Sequence, residues 1–133
     1  MLDVEVLGHA SGAGPSGAEL RRLCRGAAAA LGVSDGHVAV EFVSEDRIAE
    51  LNDRHRGHRE PTDVLSFPID GAAPSGDDST PRELGDIVIC PAHTRDLREA
   101  VVHGMLHLLG MDHEADSGEM LRLQGRLLRQ VHR

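Results

Sequence analysis

The chain has 133 residues and a mass of 14.3 kDa, with 40% hydrophobic and 27% charged residues, which is the size and composition of a single folded domain spanning 1–133. Twenty-two acids against fourteen bases give a net charge of −8, a balance that repels nucleic-acid phosphates at long range. No stretch approaches the ~20 apolar residues of a membrane span, and the opening MLDVEVLGHA lacks the basic and then apolar pattern of a signal peptide, so a cytoplasmic domain with no membrane partner is expected.

Residues 2–7 (LDVEVL) alternate with period two and read as a strand. After a glycine-rich stretch, Ser16 and Glu19 are spaced as a capping box ahead of an apolar repeat at Leu20, Leu23, Cys24, Ala27, Ala30 and Leu31, and Gly32 stops that helix. Residues 37–43 predict a second strand, with Val38, Val40 and Phe42 on one face and Ala39, Glu41 and Val43 on the other. Ser44 caps a further helix with Glu45 and Asp46 in its first turn and Ile48 and Leu51 on its buried side. A polar stretch leads into VLSFPI, a third strand, and residues 70–82 have the composition of a mobile loop. LGDIVIC is a fourth strand, closed by Pro91. Residues 97–109 predict a helix, and Asp116 with Glu119 caps a last amphipathic one carrying Met120, Leu123, Leu127 and Val131. This order implies an α+β fold in which a small, mixed four-stranded sheet is flanked by helices. Cys24 and Cys90 match no metal or redox spacing and read as two reduced thiols.

The chemistry lies in HGMLHLLGMDH, residues 103–113. His103 and His107, four apart on a helix, project from one face one turn apart and can grip a single ion at about 2.0–2.1 Å each. Gly110 permits a helix exit at positive φ, and the turned chain can bring His113 back as a third ligand. Three ligands leave a fourth position open, which is the arrangement of a catalytic zinc site. With nine histidines in the chain, three at these offsets arise by chance only roughly 0.04 times per chain. The spacing is that of the metzincins except at the second position, where Gly104 replaces the glutamate base of those peptidases. Peptide hydrolysis by that route is disfavoured, and phosphodiester chemistry resting on a metal and a cation is favoured. Asp112 has two readings, as a carboxylate that fixes an imidazole tautomer or as an Asp–backbone bond that holds the turn. Glu114 reads as surface.

With these residues in view, the chain resembles the YbeY family, bacterial rRNA maturation factors described as single-strand-specific endoribonucleases. Residues 103–113 meet the family signature H-G-x-L-H-L-x-G-x-D-H at every fixed position. Leu51-Asn52 with Arg56-Gly57, PTDVLSFP at 61–68 and LGDIVIC at 84–90 agree as well. The resemblance implies a zincin-like domain with one Zn²⁺ on His103, His107 and His113, the metal lying between the motif helix and the sheet. It also implies Arg56 as the catalytic arginine beside the metal, and Thr62, Asp63, Ser66 and Phe67 along the cleft. Asp63 also reads as a turn cap before its strand. Independently of the resemblance, Arg47, Arg54, Arg56, Arg59, His55 and His58 make up the one locally basic stretch of an acidic chain, and an arginine can offset charge building on a phosphorane.

The implied function is a zinc-dependent endoribonuclease in ribosomal RNA maturation (3′-end processing of 16S rRNA) and ribosome quality control. Its partners would be single-stranded RNA, ribosomal RNA and the small ribosomal subunit, without DNA. The alternatives are a zinc-stabilised, non-catalytic ribosome assembly factor and a metallopeptidase. Phe42 and Phe67 are the only aromatics besides histidine, so any base-stacking platform must be very small. Only twelve residues, Pro91 to Val102, separate the fourth strand from His103, the first histidine of the motif. The family usually carries a longer helical segment there, so the outer face differs while the metal site does not.

Overall fold

The structure, a computed structural model, describes residues 1–8, 14–70 and 82–131. Its elements in chain order are β1 (Asp3–Leu7), α1 (Gly17–Ala30), β2 (His37–Phe42), α2 (Glu45–Arg56), β3 (Val64–Pro68), β4 (Glu83–Ile89), a 3-10 turn at Pro91–His93, α3 (Leu97–Leu108) and α4 (Glu119–Val131). Every strand and helix expected from the sequence is present, with small shifts at the ends. The loop expected at 70–82 and the glycine-rich stretch after β1 fall largely outside the described residues, as does the side chain of Val131.

The sheet has the order β1-β2-β4-β3. β1 and β2 are parallel, β2 and β4 are parallel, and β3 runs antiparallel to β4, so the expected mixed sheet is found. β2 and β4 sit inside it, with the face toward the main core fully buried. Val38, Val40, Ile87 and Ile89 point into a large core with α1, α3 and α4. On the other face Val88, Cys90 and Leu65 meet Ile48 of α2, with Leu51 and Phe67 alongside. Helix α2 covers only part of this second face, where β2 and β4 also carry the half-buried Glu41 and Asp86.

The register between β2 and β4 slips at one point: His37 pairs with Glu83 and Val38 with Gly85, leaving Leu84 as the extra residue of a bulge. Leu84 thereby turns into the core, where it is fully buried. Gly85 follows at φ +140°, a conformation that a side chain resists.

The helix starts follow the capping logic. Ser16 Oγ accepts from Glu19 N at 3.1 Å and Ser44 Oγ from Arg47 N at 3.2 Å. Asp96 Oδ1 accepts from the Arg98 and Glu99 amides. The Glu19 carboxylate also takes both Nε and Nη2 of Arg98, each at 2.9 Å, a bidentate clamp between α1 and α3. That clamp holds the start of the motif helix against its neighbour.

A three-histidine centre beside an unpaired arginine

α3 lies across β3 and β4, and Gly104 is where it comes closest. A β-carbon there would fall 2.7 Å from Ile87 Cγ2 and 3.3 Å from Val64 Cγ2. The Gly104 carbonyl accepts from Ser66 Oγ at 2.9 Å. Gly104 therefore serves as a contact point between helix and sheet, which seats His103 and His107 beside β3.

The C-terminus of α3 then reverses. Gly110 N bonds His107 O and Met111 N bonds Leu106 O, with Gly110 at φ +101°. The following turn is held by Asp112, whose Oδ1 accepts from Glu114 N at 3.0 Å and whose carbonyl accepts from Asp116 N. Of the two readings of Asp112, the turn is the one the structure supports. Asp116 in turn accepts from Gly118 N and Met120 N at the approach to α4, and these amides hold its carboxyl below the usual range. The reversal brings His113 back to the helix.

His103, His107 and His113 form a triangle with ring centroids 4.6, 5.0 and 5.1 Å apart. One nitrogen from each lies within 4.8 Å of the others, so small ring rotations bring all three to one ion. Burial pushes the His107 imidazole below its ordinary pKa, and the neighbouring His103 and His113 push it further in the same direction. The neutral, ligating form is thus favoured. His113 Nδ1 is buried with no hydrogen-bond partner among the described residues, a polar demand that an ion or its solvent would complete. Three imidazoles converging on one point, one of them with an orphaned buried nitrogen, fit a divalent metal.

A fourth residue completes the site. Gln124 of α4, 8% exposed, places Oε1 2.8 Å from His103 Nδ1. The amide oxygen accepts only if Nδ1 carries the proton, which leaves His103 Nε2 as the free donor for metal. Sequence reasoning missed this residue. Its one signal is a polar side chain inside the apolar stripe of α4, four residues after Met120 and three before Leu127. Gln124→Leu is expected to weaken metal affinity by about 10–100-fold with the fold retained, as measured by competition against a chromogenic chelator. An unchanged affinity would remove this role.

The triad opens into a trough of about 540 Å³ whose wall includes Arg56, Thr62, Asp63, Ser66 and Glu114. Of the basic stretch, Arg47 and Arg54 are both engaged by Glu50, and Arg59 lies 3.7 Å from Asp53. Arg56, the last residue of α2 before Gly57 at φ +75°, faces the trough with no ion pair among the described residues. Asp63 is both cap and lining, its Oδ1 accepting from Val64 N at 2.8 Å. Phe67 packs against the Ile48 cluster and meets the trough through the ring of His55. A second trough of about 960 Å³ shares Asp63, Val64 and His103 with the first and continues past Arg95 at the start of α3.

Comparison with known proteins agrees with this picture. The family model described as "Endoribonuclease YbeY" matches residues 18–132. A protein of that name from Rubrobacter xylanophilus is 42% identical, covering 96% of this chain and 95% of its own. A namesake from Micrococcus luteus is 39% identical over 98% and 92%. The solution structure of a Thermotoga maritima protein superposes with a TM-score of 0.55 at 30% identity, covering 96% of this chain and 88% of that one. The histidine triad, the seating of its helix on the sheet and likeness along nearly the whole length lead to one assignment: the chain belongs to the YbeY family of endoribonucleases.

Proposed function

We propose that this protein is a zinc-dependent endoribonuclease that cleaves single-stranded RNA, acting in the cytoplasm on ribosomal RNA of the small subunit. The observation that carries the reading is Arg56, a cation without an ion-pair partner among the described residues, on the wall of the same trough as three metal-competent histidines. A divalent ion held there supplies Lewis acidity toward a phosphoryl oxygen. The chain's own groups supply the rest. Arg56 presents a planar fork to the equatorial phosphate oxygens, whose charge rises as the phosphorane forms. The Gln124 amide keeps the proton of His103 on Nδ1. The shared wall of Asp63, Val64 and His103 gives an extended strand room on both sides of the centre.

The names of its relatives support RNA as substrate, and the packing of Gly104 argues against a peptidase, because the glutamate base of the zincins has no room at that position. The net charge of −8 is met locally: a bound dication and Arg56 concentrate positive potential where the phosphate must sit.

The test is cleavage of an end-labelled single-stranded RNA by metal-loaded wild type and Arg56→Ala. The variant is expected to lose about 10²–10³-fold in rate while binding its metal unchanged. Full cleavage by Arg56→Ala would end the role given to the arginine. A folded, metal-loaded wild type that leaves the RNA intact would favour the assembly-factor alternative.

A further inference from the structure

The chain has no tryptophan or tyrosine, and its two phenylalanines divide sharply in placement. Phe42 belongs to the main core. Phe67, on β3, meets the ring of His55 edge-on, with centroids 4.7 Å apart and planes at 63°. His55 belongs to the last turn of α2, is exposed, and lines the metal trough together with Arg56 and the histidine triad. It is in no ion pair among the described residues. An edge-to-face partner restrains an imidazole at little cost, so His55 is a flat, steadied ring beside the reacting centre.

We propose that His55, braced by Phe67, is a nucleobase-stacking subsite for an unpaired base next to the scissile phosphate. This rests on the reading of the trough as an RNA site and deepens it. Stacking on an aromatic ring is tolerant of sequence because every base offers a π face, and histidine is among the side chains used for it. A base inside a duplex is already stacked on both sides and paired at its edge, so it cannot enter such a site without being extruded. One ring beside one arginine therefore gives a physical origin for selecting single strands: Arg56 takes the phosphate while His55 takes a base beside it. The small size of the platform matches the composition, since the chain has no tryptophan or tyrosine and Phe42 is buried in the main core.

The test is an abasic scan. The affinity of metal-loaded protein is measured by fluorescence anisotropy for a short single-stranded 2′-O-methyl RNA and for versions lacking one base at each position in turn. In wild type, removing the base at one position is expected to weaken binding about 5–150-fold, the range of a single base stack, with little effect elsewhere. In His55→Ala that position should lose its importance, whereas His55→Phe should restore it. The melting temperatures of both variants should match wild type because His55 is exposed. A flat scan in wild type, or the same sensitive position persisting in His55→Ala, would overturn the subsite while leaving the RNA site intact. Absence of any RNA binding by metal-loaded wild type would overturn the subsite and the RNA reading together.

Discussion

Replacing His107 by alanine is expected to abolish both metal retention and RNA cleavage while leaving the fold in place. His107 is one corner of the triad, its ring 4.6 Å from His103 and 5.1 Å from His113. Without it two imidazoles remain, one on the helix and one on the turn, and they no longer share a helical face. The Lewis acidity of a bound metal contributes several kcal/mol to transition-state stabilisation, so the expected rate loss is at least on the order of 10³-fold. Stability provides an independent readout. A metal that binds only the folded state stabilises it by about 2.7 kcal/mol at a free concentration one hundred times its Kd. Wild type should therefore melt higher when zinc is added, whereas His107→Ala should melt at the same temperature with and without it. Cleavage by the variant at the wild-type rate would place the active centre elsewhere.

The largest effect on folding is expected at Gly85. A β-carbon there would overlap the carbonyl oxygen of Phe67 on the neighbouring strand and fall 2.8 Å from Leu108 Cδ1 and 2.9 Å from Pro68 Cα. The backbone at φ +140° adds conformational strain of its own. Two of those contacts are backbone in a paired strand, which cannot step aside. Gly85→Ala should cost on the order of 3–5 kcal/mol, combining overpacking with strain. Gly32→Ala is the matching control. That glycine also has positive φ, +77°, but nothing lies within 4 Å of its β-carbon position, so only the strain of about 1–2 kcal/mol applies. Thermal unfolding of the two variants separates crowding from strain, and equal losses would show that crowding at Gly85 is relieved by the sheet.

Much of this was legible in the sequence because the relevant physics is local. His103 and His107 share a face by helical period, Gly110 marks the reversal that returns His113, and Ser16, Ser44 and Asp116 mark helix starts through bonds spanning three or four residues. What escaped is set by contacts across the fold. Gln124 meets His103 across 21 residues, so no spacing rule points to it. The six basic groups of the stretch from Arg47 to Arg59 look equivalent in sequence, and only the placement of Glu50 and Asp53 separates Arg56 from the other arginines. The bulge at Leu84 depends on how β4 pairs with β2, which alternation within either strand does not record. Phe67, expected along the cleft, packs against the Ile48 cluster and meets the trough only through the ring of His55.

The close approach at Gly104 bears on how this scaffold can be redesigned. A protein engineer wishing to convert it into a peptidase would begin by writing glutamate at 104, completing the H-E-x-x-H pattern on paper. That single change drives a side chain into Ile87, Val64 and Ser66, prising the motif helix off the sheet that aligns its two histidines. The sheet would first have to be carved back at those three positions, with the helix seated afresh. Two metalloenzyme chemistries one letter apart in their motif are thus separated by an interlocking set of side chains, and the route between them runs through the packing before it reaches the catalytic base.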